Sequence, residues 1–169
     1  MRTPPAVALA LLAVISAPAH VSNAEQSNVD PAEQYAWAEN IGWVNFRGDG
    51  ANGVFAGRAW LQGFAWSENA GWINLGDGSP ADGLAYSQAA DDTGVNRDPG
   101  TGNLSGYAWG ENIGWINFGA AAGADTARLG EDGNFAGYAW GENVGWINLA
   151  SGFGVSLNRS TGAEGWILR

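Results

Sequence analysis

One short segment occurs four times in this chain and constrains its fold more than any other feature. The third copy reads Tyr107-Ala-Trp-Gly-Glu-Asn-Ile-Gly-Trp-Ile-Asn-Phe118, and the others cover residues 35–46, 64–75 and 138–149. Repetition of this kind indicates one small structural unit built several times, each copy too small to bury its own apolar face. A residue present in every copy is therefore explained more simply by packing than by a single active site.

Each copy starts with the alternation that is typical of a β-strand. In the third copy, Gly106, Ala108 and Gly110 fall on one face of an extended chain, and Tyr107 and Trp109 fall on the other. A period of two predicts a strand with one small and one aromatic face. Since glycine weakens a strand interior, its recurrence indicates that another part of the chain approaches the backbone there.

A turn follows each of these strands. The Glu-Asn-x-Gly segments predict turns at residues 40–42, 69–71, 112–114 and 143–145, because Asn and Gly tolerate positive φ. Further turns at 98–102 and 131–133 predict a strand that enters the unit. The sequence thus predicts one all-β domain over residues 25–169, built of stacked antiparallel three-stranded meanders in a sandwich or short solenoid. We expect an aromatic ladder with most tryptophans buried inside this stack.

Residues 1–24 have the features of a secretory signal peptide. A positive start at Met1-Arg2 precedes a short apolar run over 6–15, and Ser22 and Ala24 are small residues suited to a cleavage site. The apolar run is shorter than the roughly 20 residues that span a bilayer. We therefore expect a bacterial protein that is secreted, periplasmic or held at the cell surface, with no transmembrane segment in the mature chain.

Charge and composition narrow the function classes. The formal net charge is −10, there is no cysteine, and His20 in the signal segment is the single histidine. Nucleic acids are not expected as partners, because phosphate binding needs clustered Lys and Arg. The mature chain also lacks lysine, so the usual bases, thiol nucleophiles and His/Cys metal sites are missing. We expect a non-catalytic protein without a cofactor; a glycan hydrolase using carboxylates alone stays open as an alternative.

The four copies resemble a tryptophan-rich repeat, G-Y-A-W-x-E-N-x-G-W-I, of exported and surface proteins of bacteria. The resemblance covers the copies themselves and implies an exported repeat architecture. It implies no established activity.

Function is expected in extracellular binding or adhesion, with glycans or other cell-surface components as partners, or else in a purely structural surface role. Sugar rings stack on exposed indoles, and tryptophans at the ends of a stack are the ones that neighbours cannot cover. The candidate ligand-binding residues are Trp37, Trp43, Glu39, Asn40, Glu142, Asn143 and Trp166. The loops at 76–83, 91–98 and 130–134 contain oxygen ligands suited to calcium. Solvated turns explain these loops better, and no metal is expected.

Overall fold

The computed structural model describes residues 27–150 and 154–158, so the signal segment and Trp166 lie outside the described residues. Apart from one turn of 3-10 helix at Gly123–Asp125, the regular structure in these ranges is β-strand. No helix within them has the length and apolar character needed to cross a membrane. The strands are β1 (Val29–Ala38), β2 (Gly42–Asn45), β3 (Phe55–Ala56), β4 (Leu61–Ser67), β5 (Gly71–Gly76), β6 (Val95–Arg97), β7 (Leu104–Gly110), β8 (Gly114–Asn117), β9 (Arg128–Leu129), β10 (Phe135–Ala136), β11 (Tyr138–Gly141), β12 (Gly145–Asn148) and β13 (Val155–Leu157).

Each sequence copy forms one antiparallel hairpin. The first to fourth hairpins are β1–β2, β4–β5, β7–β8 and β11–β12, and each turns at a predicted Asn-x-Gly. The glycine of each turn has a φ between 74° and 78°, which is the left-handed region. The prediction of an all-β, antiparallel fold is confirmed.

The four hairpins lie edge to edge in chain order and close into a barrel. β2 pairs with β4, β5 with β7, β8 with β11, and β12 returns to pair with β1. The result is a closed barrel of eight strands with additional short strands at one end. Edge-to-edge pairing satisfies the backbone groups that a separate hairpin would leave open, and closure removes the last two edges.

The predicted entering strand is present. For the first hairpin this strand comes from the C-terminal part of the chain. β3 pairs with β4 and β6 pairs with β7, whereas β13 pairs with β1. The Tyr107 amide donates to the Gly94 carbonyl at 3.2 Å, and the Tyr35 amide donates to the Gly154 carbonyl at 3.0 Å. The final strand therefore takes, for the first copy, the place that β6 has for the third.

The close backbone approach expected at the strand glycines is confirmed. A Cβ at Gly106, whose φ is 83°, would lie 2.4 Å from the carbonyl oxygen of Gly94. A Cβ at Gly137 would lie 2.1 Å from that of Thr126. Both distances are far inside van der Waals contact, so the entering segment can hydrogen-bond at this position only beside a glycine.

Small and β-branched side chains fill the barrel. The first strand of each hairpin contributes mainly Ala and Gly, and the second strand contributes Ile or Val. The x residue of each turn is also buried and closes one end of the barrel, while leucines and phenylalanines pack at the other end, where Phe46 and Phe135 lie 5.9 Å apart. The central buried set is Ala36, Ala38, Val44, Ala65, Ile73, Ala108, Ile116, Ala139 and Ile147.

The expectation that most tryptophans are buried is wrong, because the aromatic face of every hairpin lies on the outside of the barrel. Alternation is as predicted: Ala108 is fully buried, while Tyr107 and Trp109 are 39% and 41% exposed. A closed barrel of eight strands has an interior just wide enough for a filling of modest side chains. The Ala/Gly and Ile/Val faces already fill it, so the indoles are left outside.

Candidate ligand-binding grooves

The outer surface of the barrel has a belt of half-exposed aromatic rings, three from each hairpin. Those classed as exposed range from 36% (Tyr35) to 51% (Trp115), and Tyr138 is somewhat more covered. We call this set the aromatic belt. It consists of Tyr35, Trp37 and Trp43; Phe64, Trp66 and Trp72; Tyr107, Trp109 and Trp115; and Tyr138, Trp140 and Trp146.

Within each hairpin the rings hold one another in place. Trp109 and Trp115 face each other across the strand pair with ring centroids 4.6 Å apart, and Tyr107 meets Trp115 edge-on at 6.1 Å. The second hairpin repeats the arrangement with separations of 4.8 Å and 6.2 Å. Such packing adds about 0.5–1.5 kcal/mol per pair beyond area burial and fixes the ring orientation. The belt is therefore rigid as well as exposed.

A groove runs between the second and third hairpins. Its volume is about 570 Å³. Aromatic rings come from both sides: Phe64 and Trp72 from the second hairpin and Trp109 from the third. Its lining residues are Asn52, Phe64, Gly71, Trp72, Asn74, Trp109, Glu111 and Asn112.

A matching groove lies between the first and second hairpins, with a volume of about 760 Å³. Seven of its nine residues, all except Trp37 and Ile41, are equivalent in the repeat to residues of the groove just described. They are Tyr35, Trp37, Ile41, Gly42, Trp43, Asn45, Trp66, Glu68 and Asn69. The grooves are thus a product of the repeat and not of one special loop.

Strand register explains why each groove combines indoles, an amide and one carboxylate. Asn74 on β5 pairs with Trp109 on β7. Because the strands are antiparallel, Trp72, two residues before Asn74, lies opposite Glu111, two residues after Trp109, on the same outer face. The same pairing recurs at the other junctions as Asn45 with Trp66, Asn117 with Trp140, and Asn148 with Trp37. Four quasi-equivalent junctions therefore surround the barrel.

The turn asparagines fasten neighbouring hairpins together. The side-chain amide of Asn112 donates to the carbonyl of Ala70 at 3.1 Å, and Asn69 and Asn143 donate in the same way to Ile41 and Ile113 at 3.1 Å. The acceptor is in each case the buried x residue of the preceding turn. The sequence predicts only a turn-forming role for these asparagines, and the structure adds these bonds between hairpins, which hold the groove floor.

The junction between the fourth and first hairpins is closed differently. Here the backbone amide of Asn40 donates to the Val144 carbonyl at 3.1 Å, in place of a side-chain amide. The Glu39 carboxylate accepts the backbone N–H of Trp146 at 3.0 Å. Glu39 is therefore engaged in closing the barrel. The carboxylates of Glu68, Glu111 and Glu142 make no hydrogen bond or ion pair with any residue that the structure describes.

The structure brings the predicted site residues together in part. Trp37 and Trp43 line the groove between the first and second hairpins. Glu142 and Asn143 belong to the fourth hairpin, which adjoins the first because the barrel closes. Closure also means that no copy is at an end, so all four copies expose their tryptophans alike. The sequence reasoning missed Phe64, Trp72, Trp109, Glu111 and Asn112, although the identity of the copies marks them as equivalent.

The aspartate-rich loops use their carboxylates to cap turns. Asp98 accepts the backbone N–H groups of Gly100 and Thr101 at 2.9 Å and 2.7 Å, and the bond from Thr101 is the main reason why the pKa of Asp98 is lowered. Asp82 similarly accepts from two amides, which lowers its pKa. Within residues 27–150 and 154–158, no group of three or more His, Cys, Asp or Glu side chains could hold a metal ion.

The longest loop, between β5 and β6, is anchored by Tyr86. The side chain is buried, and its hydroxyl accepts the Gly78 N–H at 2.6 Å. Burial raises the pKa of the phenol to about 12. Asn96 exchanges two hydrogen bonds with the Tyr86 backbone, which fixes the loop beside β6.

Comparison of the chain with protein-family models, with curated proteins and with solved structures gives no match in any of the three.

Proposed function

We propose that this chain is an exported, non-catalytic binding protein whose grooves bind glycans through the aromatic belt. The observation that carries the proposal is the position of the belt: three large aromatic side chains per hairpin are left half-exposed around a barrel whose core is otherwise complete. Monomeric proteins rarely leave large contiguous apolar patches in water unless a partner covers them.

The chemistry of the grooves matches a sugar ring. The C–H faces of a pyranose pack on flat indole surfaces, and its hydroxyls need a few placed polar groups at the edge. In the groove between the second and third hairpins, Trp72 and Trp109 offer the flat surfaces, and Asn74 and Glu111 offer polar atoms. Rigid rings lose little conformational entropy on binding, which favours recognition of a weakly apolar ligand.

The number of carboxylates supports binding without catalysis. Glycoside hydrolysis uses two carboxyl groups flanking the scissile bond, about 5–10 Å apart. Among the described residues, Glu111 is the one carboxylate that lines the groove between the second and third hairpins, and Glu68 is the one that lines the groove before it. A repeated single acid favours a binding role at each junction.

Charge and the signal segment complete the proposal. With a formal net charge of −10, the protein repels anionic polysaccharides at moderate salt, so neutral or basic glycans are the expected class. The features of residues 1–24 favour export from a bacterial cell, where such glycans are accessible at the cell surface.

The test is a titration of the purified protein with cell-wall and exopolysaccharide fragments, followed by tryptophan emission and calorimetry. We expect dissociation constants in the micromolar to millimolar range and little dependence on salt for neutral fragments, because counterion release is absent. Replacing Trp109 by Ala should weaken binding, whereas replacing Trp60, which lies outside the belt, should not. The absence of any response at millimolar glycan would refute the proposal.

A further inference from the structure

The groove between the second and third hairpins has an electrostatic character of its own. Phe64, Trp72 and Trp109 line it with three aromatic rings, and strand register places Glu111 opposite Trp72. Among the described residues, no lysine or arginine lines this groove or the equivalent one between the first and second hairpins. The aromatic rings and the carboxylate that line the groove therefore all present negative charge or electron density to a ligand.

Such a surface attracts cations more than neutral molecules. The face of an aromatic ring is the negative part of its quadrupole, and an ammonium group within about 6 Å of the ring centroid is drawn to it. A carboxylate adds a full charge, and a cation shielded from water on one side by rings feels it more strongly than in bulk solvent. Glu111 makes no hydrogen bond or ion pair with the described residues, so no cation in that part of the chain offsets its charge.

At the junction between the fourth and first hairpins, the equivalent glutamate has a structural role. Glu39 holds the Trp146 amide at 3.0 Å, while its equivalents Glu68, Glu111 and Glu142 make no such bond. One glutamate of the four thus takes part in closing the barrel. The other three keep the same position beside an indole without a structural contact that explains them.

We propose that the grooves at Glu68 and Glu111, and by strand register the equivalent junction at Glu142, bind a positively charged nitrogen, and that the glycan class recognised is one bearing free amino groups. This inference rests on the proposed glycan-binding function and specifies its ligand. The ammonium group lies against the indole face and pairs with the carboxylate, and the sugar ring covers the remaining aromatic surface. Acylation of the amine removes the charge and with it the preference.

The experiment compares glucosamine oligomers with their N-acetylated counterparts of equal length, by calorimetry and tryptophan emission at pH 6. We expect the free amines to bind about tenfold more tightly, with the difference decreasing at high salt. A triple variant, Glu68→Gln, Glu111→Gln and Glu142→Gln, should lose this preference, so that the ratio of the two affinities falls from about ten to about one. Glu131→Gln, an exposed acid on a loop outside both grooves, is the charge-matched control and should leave the preference unchanged.

The outcomes separate the two proposals. Equal affinity for both oligomers, or a preference that survives in the triple variant, overturns the cation site and leaves glycan binding standing. An equal loss per charge in the Glu131→Gln control also overturns it, because the attraction would then come from net charge alone. Binding of neither oligomer nor any other glycan overturns both. Far-UV circular dichroism of the triple variant should match that of the parent, since none of the three carboxylates makes a hydrogen bond or ion pair with the described residues.

Discussion

Alanine at Gly106 should destabilise the barrel far more than alanine at Gly114, although both glycines have nearly the same backbone conformation. The φ values are 83° and 78°. A Cβ at Gly114 would meet nothing within 4 Å, whereas one at Gly106 would lie 2.4 Å from the Gly94 carbonyl oxygen. The pair of variants therefore separates the conformational cost of a side chain from the cost of displacing a strand.

The magnitudes follow from these two facts. A left-handed conformation costs an L-residue about 1–2 kcal/mol, which is the whole effect expected for Gly114→Ala. In Gly106→Ala the Gly94 carbonyl must also move, so the bond it accepts from the Tyr107 amide, 3.2 Å long, is lost or stretched. A lost bond costs about 1 kcal/mol and overpacking another 1–3 kcal/mol, so that with the conformational cost the total is about 3–6 kcal/mol. A domain of this size has about 5–15 kcal/mol in all.

Urea unfolding monitored by far-UV circular dichroism measures both variants. We expect unchanged m-values and a clearly lower midpoint for Gly106→Ala. Asparagine tolerates the left-handed region, so Gly114→Asn should recover part of the loss while Gly106→Asn should not. Equal losses for the two alanine variants would refute the reasoning, because they would show that the entering strand does not approach Gly106 closely.

Three shorter predictions concern the turn asparagines, the buried phenol of Tyr86 and the aromatic belt. Asn112→Ala should cost about 1–3 kcal/mol in urea melts, since it leaves the Ala70 carbonyl unpaired, and Asn40→Ala should cost less because its backbone amide makes the equivalent bond. The pKa of Tyr86 in the folded protein, about 12, lies above the ordinary value of 10.0. The contribution of the neutral phenol to stability is therefore complete below pH 10 and is lost as pH rises toward 12. The thermal midpoint should fall over this pH range, and Tyr86→Phe should make the fall smaller. Acrylamide should quench most of the native tryptophan emission, whereas strong protection would contradict an outward belt.

The sequence was sufficient to predict the strands, the turns and the alternation of faces, because period two and Asn-x-Gly act locally. It could not decide which face is inside. In an ordinary sheet a polar face marks the solvent side, but in these hairpins both faces are apolar: Ala108 and Ile116 on one side, Tyr107 and Trp109 on the other. The choice depends on how much volume a closed barrel can hold, which is a property of all four copies together.

The site was predictable in kind and not in place. The sequence predicts a candidate binding surface of indoles beside Glu and Asn and places it at the ends of an open stack, whereas the closed barrel has no such ends. Contacts such as Asn112 with Ala70 join residues 42 positions apart, and no local pattern announces them. The different role of Glu39 likewise depends on the return of β12 to β1, which is a long-range pairing.

Because the barrel closes on itself, this architecture fixes the number of repeats. An open solenoid can gain or lose a unit by duplication or deletion at little cost, since each unit touches only its neighbours. A barrel of five hairpins would have an interior wider than Ala, Ile and Val side chains can fill. A barrel of only three hairpins would leave no room for these side chains. Copy number in genes of this type should therefore be held at four unless the inward residues change size together, while the outward residues of any one copy stay free to diverge.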